Sequence, residues 1–557
     1  MTNPSTHRGG RTTPALDPLA GLRAALADAA ADVRGHFATV ELRLDRPPRP
    51  EFGDFSTNAA LVLASGLEER PREAAERLGT ALGGRLGEDL DRTEVAGPGF
   101  LNLFLSDRFW RSALEQVTSA GEAFGGGGAS AAAEHVLVEF VSANPTGPIT
   151  VAAARHAAYG DSLCRILAFA GHTVEREYYV NDTGGQIRRF GESLEARARG
   201  EEPPEDGYRG EYVAALAARI PDAAELPVDE LAARGVGLVV EEVRASLERF
   251  RVRYDRFFFE HALHEGGAVE RALELLGERG HVYGSEGATW LRTSALGDDK
   301  DRVLRRSGGE PTYFAADVAY HADKHARDVD RVIDVLGADH HGYFARMQAA
   351  WAALGGEPGA LELQIMQLVN LTEGGRHVQM SKRGGDFVTL DDLIDDIGVD
   401  AARWFLLQRS HDTTLDLDLR LARDETQDNP VYYVQYAHAR IAAILRKARE
   451  EGAGASPRAD TLHGETSLHP SERALVRRLL ELPDEVSAAA ARRAPHRLTV
   501  YALELAQAFS AFYRDCRVVG AAEEGGDEAF RLELCRATQS VVALSLDLLG
   551  VEAPETM

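Results

Sequence analysis

The run from residue 135 to residue 182 constrains the fold more than any other part of the chain. "HVLVEFVS" is apolar at almost every position, the pattern of a strand buried on both faces. The loop "ANPTGP" follows, then helical spacing from about Val151 to Ala170, Gly171 as the stop, and a second strand in "TVEREYYVND". Strand, helix and strand in this order predict a βαβ unit, and therefore an α/β fold with a parallel sheet. The loop lies at the carboxyl end of the first strand, where open sheets of this kind hold ligands. "RVIDVLGADH" (331–340) and "LELQIMQLVNL" (361–371) supply further strands.

A chain of 557 residues needs more than one domain around such a unit. Residues 1–14 read as a disordered lead without the apolar core of a signal peptide. Residues 15–124 read as a first α+β domain: "PLAGLRAALADAAADVRGHF" and "PREAAERLGTALGGRL" have helical spacing, and "TEVAGPGFLNLFLS" reads as strands about a Gly-Pro-Gly turn. "GGGGASAAAE" (125–134) reads as a linker. The sheet domain is expected over 135–394, with a mostly helical insertion at about 185–310. From 395 to 557 the pattern is that of an all-α bundle.

Composition excludes more than it assigns. No apolar run approaches the length of a membrane span. Cys164, Cys516 and Cys535 have neither zinc-knuckle nor disulfide-framework spacing, which fits a reducing cytoplasm. A net charge of −26 argues against indiscriminate nucleic-acid binding, though not against local basic patches.

Two stretches point to nucleotide chemistry. In "NPTGPITVAAARH", Pro148 and small residues open a helix whose first amides can meet phosphate, and Gly147 with the alanines at 152–154 leaves no bulk against a base or ribose. In "HVQMSKRGGDFVTLDDL", Ser381, Lys382 and Arg383 stand in a glycine-flanked loop, able to neutralise charge moving onto leaving pyrophosphate. Each has a bland reading: a plain βα turn, and a solvated basic pair.

Together these stretches resemble the two signatures of class I aminoacyl-tRNA synthetases, usually written HIGH and KMSKS. The chain more narrowly resembles the arginyl-tRNA synthetases through "PEFGDFSTNAAL", "VAGPGFLN", "VEFVSANPTGP", "REYYVNDTGGQI", "GADHHGY", "QMSKRGGDFVTLDDL", "DNPVYYVQYAHARI", "FYRDCRVV" and "LDLLGVEAPETM". The resemblance implies a tRNA-contacting N-terminal domain, a Rossmann-like catalytic domain and a helical anticodon-binding domain. It implies arginine–tRNA ligation: ATP with Mg²⁺ and L-arginine give arginyl-adenylate, and tRNA(Arg) accepts the arginyl group. A monomer without a tightly bound metal is expected.

The resemblance also assigns residues. Pro145, Thr146, Gly147, Pro148, Ala152, Ala153, Met380, Lys382 and Arg383 would bind ATP, with Thr150, Ser381 and Lys382 serving the chemistry. Glu139, Asn144, Tyr313, Asp317 and His341 would bind arginine, since paired carboxylates match a guanidinium. Tyr313 and Asp317 are four apart, on one helical face. His340 and His341 could line the arginine or ribose pocket; no third ligand is spaced for a metal. Tyr432, Gln435, Tyr436, Arg440, Tyr513 and Met557 would contact tRNA, with some of the neighbouring tyrosines in the core.

The chain departs from the family in both signatures. Thr150, Val151, Ala152 and Ala153 stand where the family has His-x-Gly-His, and Gln379 replaces the first lysine of the second signature. The Thr150 hydroxyl, the amides at 151–153, Lys382 and Arg383 are the expected compensation, with His156 read as a packing or surface residue. Two other readings stay open: a silent paralogue that binds tRNA or arginine, and an aminoacyl transferase of specialised metabolism.

Overall fold

The computed structural model describes residues 17–34, 42–67, 69–129, 132–377, 388–452 and 466–557. The lead at 1–14 lies outside these, as do Gln379, Met380, Ser381, Lys382 and Arg383.

The first domain is an antiparallel sheet carrying helices. Strands β1 (Leu44–Asp45), β2 (Phe55–Thr57), β3 (Leu90–Ala96) and β4 (Phe100–Leu105) lie in the order β1-β2-β4-β3. The Gly-Pro-Gly turn joins β3 to β4, and Gly99 is required there. It takes φ +144°, and a Cβ would stand 2.6 Å from Cβ of Pro71, the first residue of the helix Pro71–Leu86.

The central domain is built on a five-stranded, wholly parallel sheet: β5 (His135–Glu139), β6 (Thr173–Val180), β7 (Arg256–Phe259), and, further along the chain, β11 (Arg331–Gly337) and β12 (Leu361–Met366). Its spatial order is β12-β11-β5-β6-β7, so the strand order reverses between β5 and β11. The loop after β5 therefore opens at a topological switch point. Val136, Leu137 and Val138 are fully buried, as their unbroken apolar run requires. The helix Val151–Ala170 ends on Gly171 in the left-handed region, φ +108°. It lies so close on the sheet that a Cβ at Gly160 would meet the Phe140 ring at 2.2 Å.

Five features differ from the sequence reading. The helical insertion is real over Gly184–Ala198, Glu211–Arg219 and Val228–Arg249, but the chain then returns to the sheet as β7. Beyond β7 an antiparallel meander forms: β8 (Val282–Ser285), β9 (Ala288–Leu291) and β10 (Arg302–Arg305). "LELQIMQLVNL" is two strands, since β13 (Val369–Glu373) leaves the main sheet. β13 pairs with β14 (Arg376–His377) and with β15 (Leu415–Asp418), the latter inside the region read as wholly helical. The glycine tract is no free tether: Gly125 packs on Leu482, and the amides of Gly127 and Ala129 donate to the carbonyls of Phe169 and Ala170. Missing side chains let this backbone press against its neighbours instead of loosening it.

The C-terminal helices Pro430–Glu450, Pro470–Leu480, Leu482–Ala491, His496–Asp515 and Glu528–Leu549 pack into the expected bundle. It is seated directly on the helix Val151–Ala170. Arg403, fully buried, pairs with Asp161 at 2.6 Å and donates to the carbonyls of Leu549 and Phe250. The Tyr159 and Ser162 hydroxyls donate to the carbonyls of Arg493 and Leu548. Among the described residues no helix is long and apolar enough to cross a membrane.

Candidate active site

The chain turns abruptly on leaving β5. Val141 and Ser142 adopt φ of +69° and +41°, a conformation that costs a β-branched valine on the order of 1 kcal/mol or more. Side-chain bonds hold it there. The Ser142 hydroxyl donates to Glu139 (2.8 Å) and accepts from the Tyr179 amide (3.1 Å). Farther along the loop, the Thr146 amide donates to the Asn144 carbonyl, and the Tyr178 hydroxyl donates to that of Ala143. Pro145 and Thr146 are buried, Gly147 and Pro148 half-buried, and Asn144 is exposed.

Gly147 faces a phenol. The Tyr212 hydroxyl donates to the Thr146 carbonyl at 3.0 Å, and a Cβ on Gly147 would stand 3.2 Å from that oxygen. The expectation that Gly147 keeps open space for a base or ribose is corrected: a side chain of the helical insertion fills it.

Thr150 is the N-cap of the long helix, its hydroxyl oxygen accepting from the Ala153 amide. Its backbone forms an antiparallel bridge with Thr389. The Val151 amide donates to the Val388 carbonyl, and the Leu390 amide donates to that of Ile149. The two signature stretches are thus tied together where the second ends. This corrects a further expectation, that the amides at 151–153 all stay available to phosphate. Those of Val151 and Ala153 are engaged, and among the described residues that of Ala152, an exposed position, is the one without a bond.

The acidic half of the site lies across the sheet edge. Asp317 sits one turn into the helix Tyr313–His325, partly buried, and accepts a bond from the Tyr343 hydroxyl. Burial lifts its carboxyl to about 6; Tyr343 and His321 oppose the rise, while Glu260 and Glu139 add to it. Glu260 is buried and accepts from the hydroxyls of Tyr179 (2.8 Å) and Thr183 (2.6 Å). Tyr313 is 66 % exposed, free to meet a ligand from above. Glu139 is near enough to Asp317 to act on its ionisation. The side chain of His341 lies outside the described ones, with those of Asp339 and His340.

The sequence reading missed the groups beside Glu139. Lys324, fully buried, is ion-paired with both Glu139 and Asp334, and His321 bonds the other oxygen of Asp334 at 2.9 Å. Arg327 pairs with buried Glu177, which also accepts from the Tyr320 hydroxyl. One signal was available: charged residues within apolar strands require a partner.

On the helical domain, Tyr432 and Tyr436 stack with centroids 6.2 Å apart, and the Arg440 guanidinium lies 4.7 Å over Tyr436 and 5.3 Å from Tyr513. Tyr513 and Met557 are exposed. A hollow of about 210 Å³ opens beside Tyr436 and Arg440. Gln435 does not join this surface. It is buried, and its amide donates to Asp400 and to the Glu552 carbonyl, which corrects its reading as a tRNA contact.

A parallel sheet with a switch-point loop, a capped helix bridged to the segment at 388–390, and a helical bundle seated on that helix are the parts that known proteins match. Residues 20–105 match the family described as the arginyl tRNA synthetase N terminal domain. Residues 238–441 match the catalytic domain of class I (R) tRNA synthetases, and 434–557 the DALR anticodon binding domain. A protein of Frankia alni described as an arginine–tRNA ligase is 46 % identical over 550 residues, covering 97 % of this chain and 98 % of that one. The solved arginyl-tRNA synthetase of Thermus thermophilus is similar at 26 % identity and a TM-score of 0.75, over 97 % of this chain and all of that one. That of Plasmodium falciparum shares the fold at 17 % identity and a TM-score of 0.71, over 98 % of this chain and all of that one. The chain belongs to the arginyl-tRNA synthetase family.

Proposed function

We propose that this chain is an arginine–tRNA ligase working with a nucleotide site rebuilt without imidazoles. Arginine's carboxylate oxygen attacks the α-phosphorus of ATP, forming arginyl-adenylate and releasing pyrophosphate. A terminal ribose hydroxyl of tRNA(Arg) then takes the arginyl group and frees AMP. ATP arrives with Mg²⁺, and the cytoplasm is the expected compartment.

One observation supports the reading of amino-acid specificity: Asp317, half-withdrawn from water, feels the buried carboxyl groups of Glu260 and Glu139. A free guanidinium adds positive charge beside Asp317 and matches a carboxylate in two-point bonding. Tyr313 would cover the ligand, Asn144 hold its backbone end, and His341 complete the lining. At the nucleotide end the Thr150 hydroxyl proton, the Ala152 amide and the positive end of the helix face the triphosphate. Pro145, Thr146, Pro148 and Ala153 shape that end, and Ser381, Lys382 and Arg383 would supply the cationic loop, with Met380 beside it. Tyr432, Tyr436, Arg440, Tyr513 and Met557 form the proposed tRNA face.

A second reading has specific support. With both imidazoles missing and two helix-tip amides engaged, the donors left for a transition state are few, as in a paralogue that binds without catalysis. Pyrophosphate exchange with arginine, ATP and tRNA(Arg), followed by charging, separates the two. Exchange with charging supports the ligase. tRNA binding without exchange replaces it with the silent paralogue, and exchange without charging points to another acceptor.

A further inference from the structure

Three carboxylates stand abreast on adjacent parallel strands. Glu139 on β5 is in register with Asp334 on β11 and with Glu177 on β6. Neighbouring strands are about 4.8 Å apart, so three such charges in a row repel strongly unless cations intervene. The partners come from the helix above and the turn after it, Lys324 and Arg327 as cations and His321 as a hydrogen-bonding ring. Arg327 takes Glu177, His321 takes one oxygen of Asp334, and Lys324 stands between Asp334 and Glu139. The Tyr320 ring, 4.2 Å from the Lys324 ammonium, closes the remaining side.

The three members of the lysine cluster are unequal in their access to solvent. The Lys324 side chain is wholly enclosed and that of Asp334 nearly so, whereas Glu139, at the end of β5, keeps 11 % of its side chain exposed. Only Glu139 can meet a substrate. Its two oxygens each hold one partner, Lys324 on one and the Ser142 hydroxyl on the other, and both partners are donors. Lone pairs remain for a third donor.

We propose that Lys324 is a positioning residue for arginine recognition: its ammonium cancels the repulsion between Glu139 and Asp334 and fixes the Glu139 carboxylate for the cationic amino acid. This rests on the assignment of Glu139 to the arginine pocket made above. Without Lys324, two buried carboxylates are left side by side, and together they retain a proton at neutral pH. The groups facing them are then Ser142, Glu177, Asp317, Tyr320, His321 and Arg327, and Arg327 is already committed to Glu177. Glu139 loses charge or swings away, and arginine loses its partner.

The test is arginine binding by calorimetry on the full chain, alongside pyrophosphate exchange. K324M is expected to weaken arginine at least about tenfold, with the KM for ATP unchanged. The double variant K324M/D334N removes the repelling neighbour as well, and is expected to return arginine affinity to within about threefold of the parent. A merely structural lysine gives no such rescue. Unchanged affinity in K324M, or equal loss in the double variant, overturns the proposal; should K324M not fold, K324Q is read in the same way. A parent protein that binds no arginine overturns the ligase reading and this one together. A parent that binds it while the variants depart from the pattern overturns this one alone.

Discussion

Replacing Asp317 by asparagine should make the protein more stable and worse at binding arginine. Burial lifts the Asp317 carboxyl from 3.8 to about 6. A rise of roughly two units corresponds to about 3 kcal/mol of unfavourable ionisation in the folded state. The sign follows from linkage. The folded pKa is above the unfolded one, so the destabilisation is fully present above pH 6 and is relieved as pH falls from 6 toward 4. Asparagine keeps an acceptor for the Tyr343 hydroxyl without the charge, so Asp317→Asn should raise stability at pH 7.5 by on the order of 1 to 3 kcal/mol. A guanidinium would bind the ionised form alone. Parent affinity for arginine should therefore be flat above about pH 7 and fall about tenfold per unit below 6, whereas the variant should be weak and flat through that window. Losing a buried charged partner costs about 2 to 5 kcal/mol of binding. Denaturant unfolding and arginine calorimetry from pH 5 to 8 measure both effects. A parent profile without a break near pH 6, or a variant that unfolds more easily while binding arginine normally, would refute the assignment.

Three further outcomes are expected. Thr150→Ala removes the helix cap and a hydroxyl donor, costing about 1 kcal/mol of stability and slowing pyrophosphate exchange, while Thr150→Ser restores both. Arg403→Met leaves buried Asp161 with Arg165 as its remaining partner and removes the bonds to the Leu549 and Phe250 carbonyls, and denaturant titration should show a loss of about 2 to 3 kcal/mol. Tyr436→Ala or Arg440→Ala should weaken tRNA(Arg) binding by about 1 to 3 kcal/mol in a filter assay, with arginine affinity unmoved.

Read alone, the sequence determined the elements whose character is local. The helix Val151–Ala170 and its Gly171 stop, the apolar strand before it, the Gly-Pro-Gly hairpin and the terminal helices all stand where periodicity and punctuation put them. A helix shows one apolar face every 3.6 residues, and a doubly buried strand shows none, so both patterns are visible without knowing the neighbours. The loop after β5, Asp317 and the Tyr436–Arg440 surface were singled out through the short motifs that carry the family resemblance, and their roles are the proposals made above.

Tertiary structure alone decided which groups face each other. "RFFF" carries no period that separates a core strand from an insertion, and it became β7 because β6 offered an open edge. Gln435 looked like a reader of bases until Asp400 and the Glu552 carbonyl turned its amide inward. Val388 and Thr150 claimed two helix-tip amides that composition left open. Lys324, 185 residues from Glu139, gives no sign of its partner in any window around it. Charge pairing acts through space, and spacing along a chain records it only when both partners share one element.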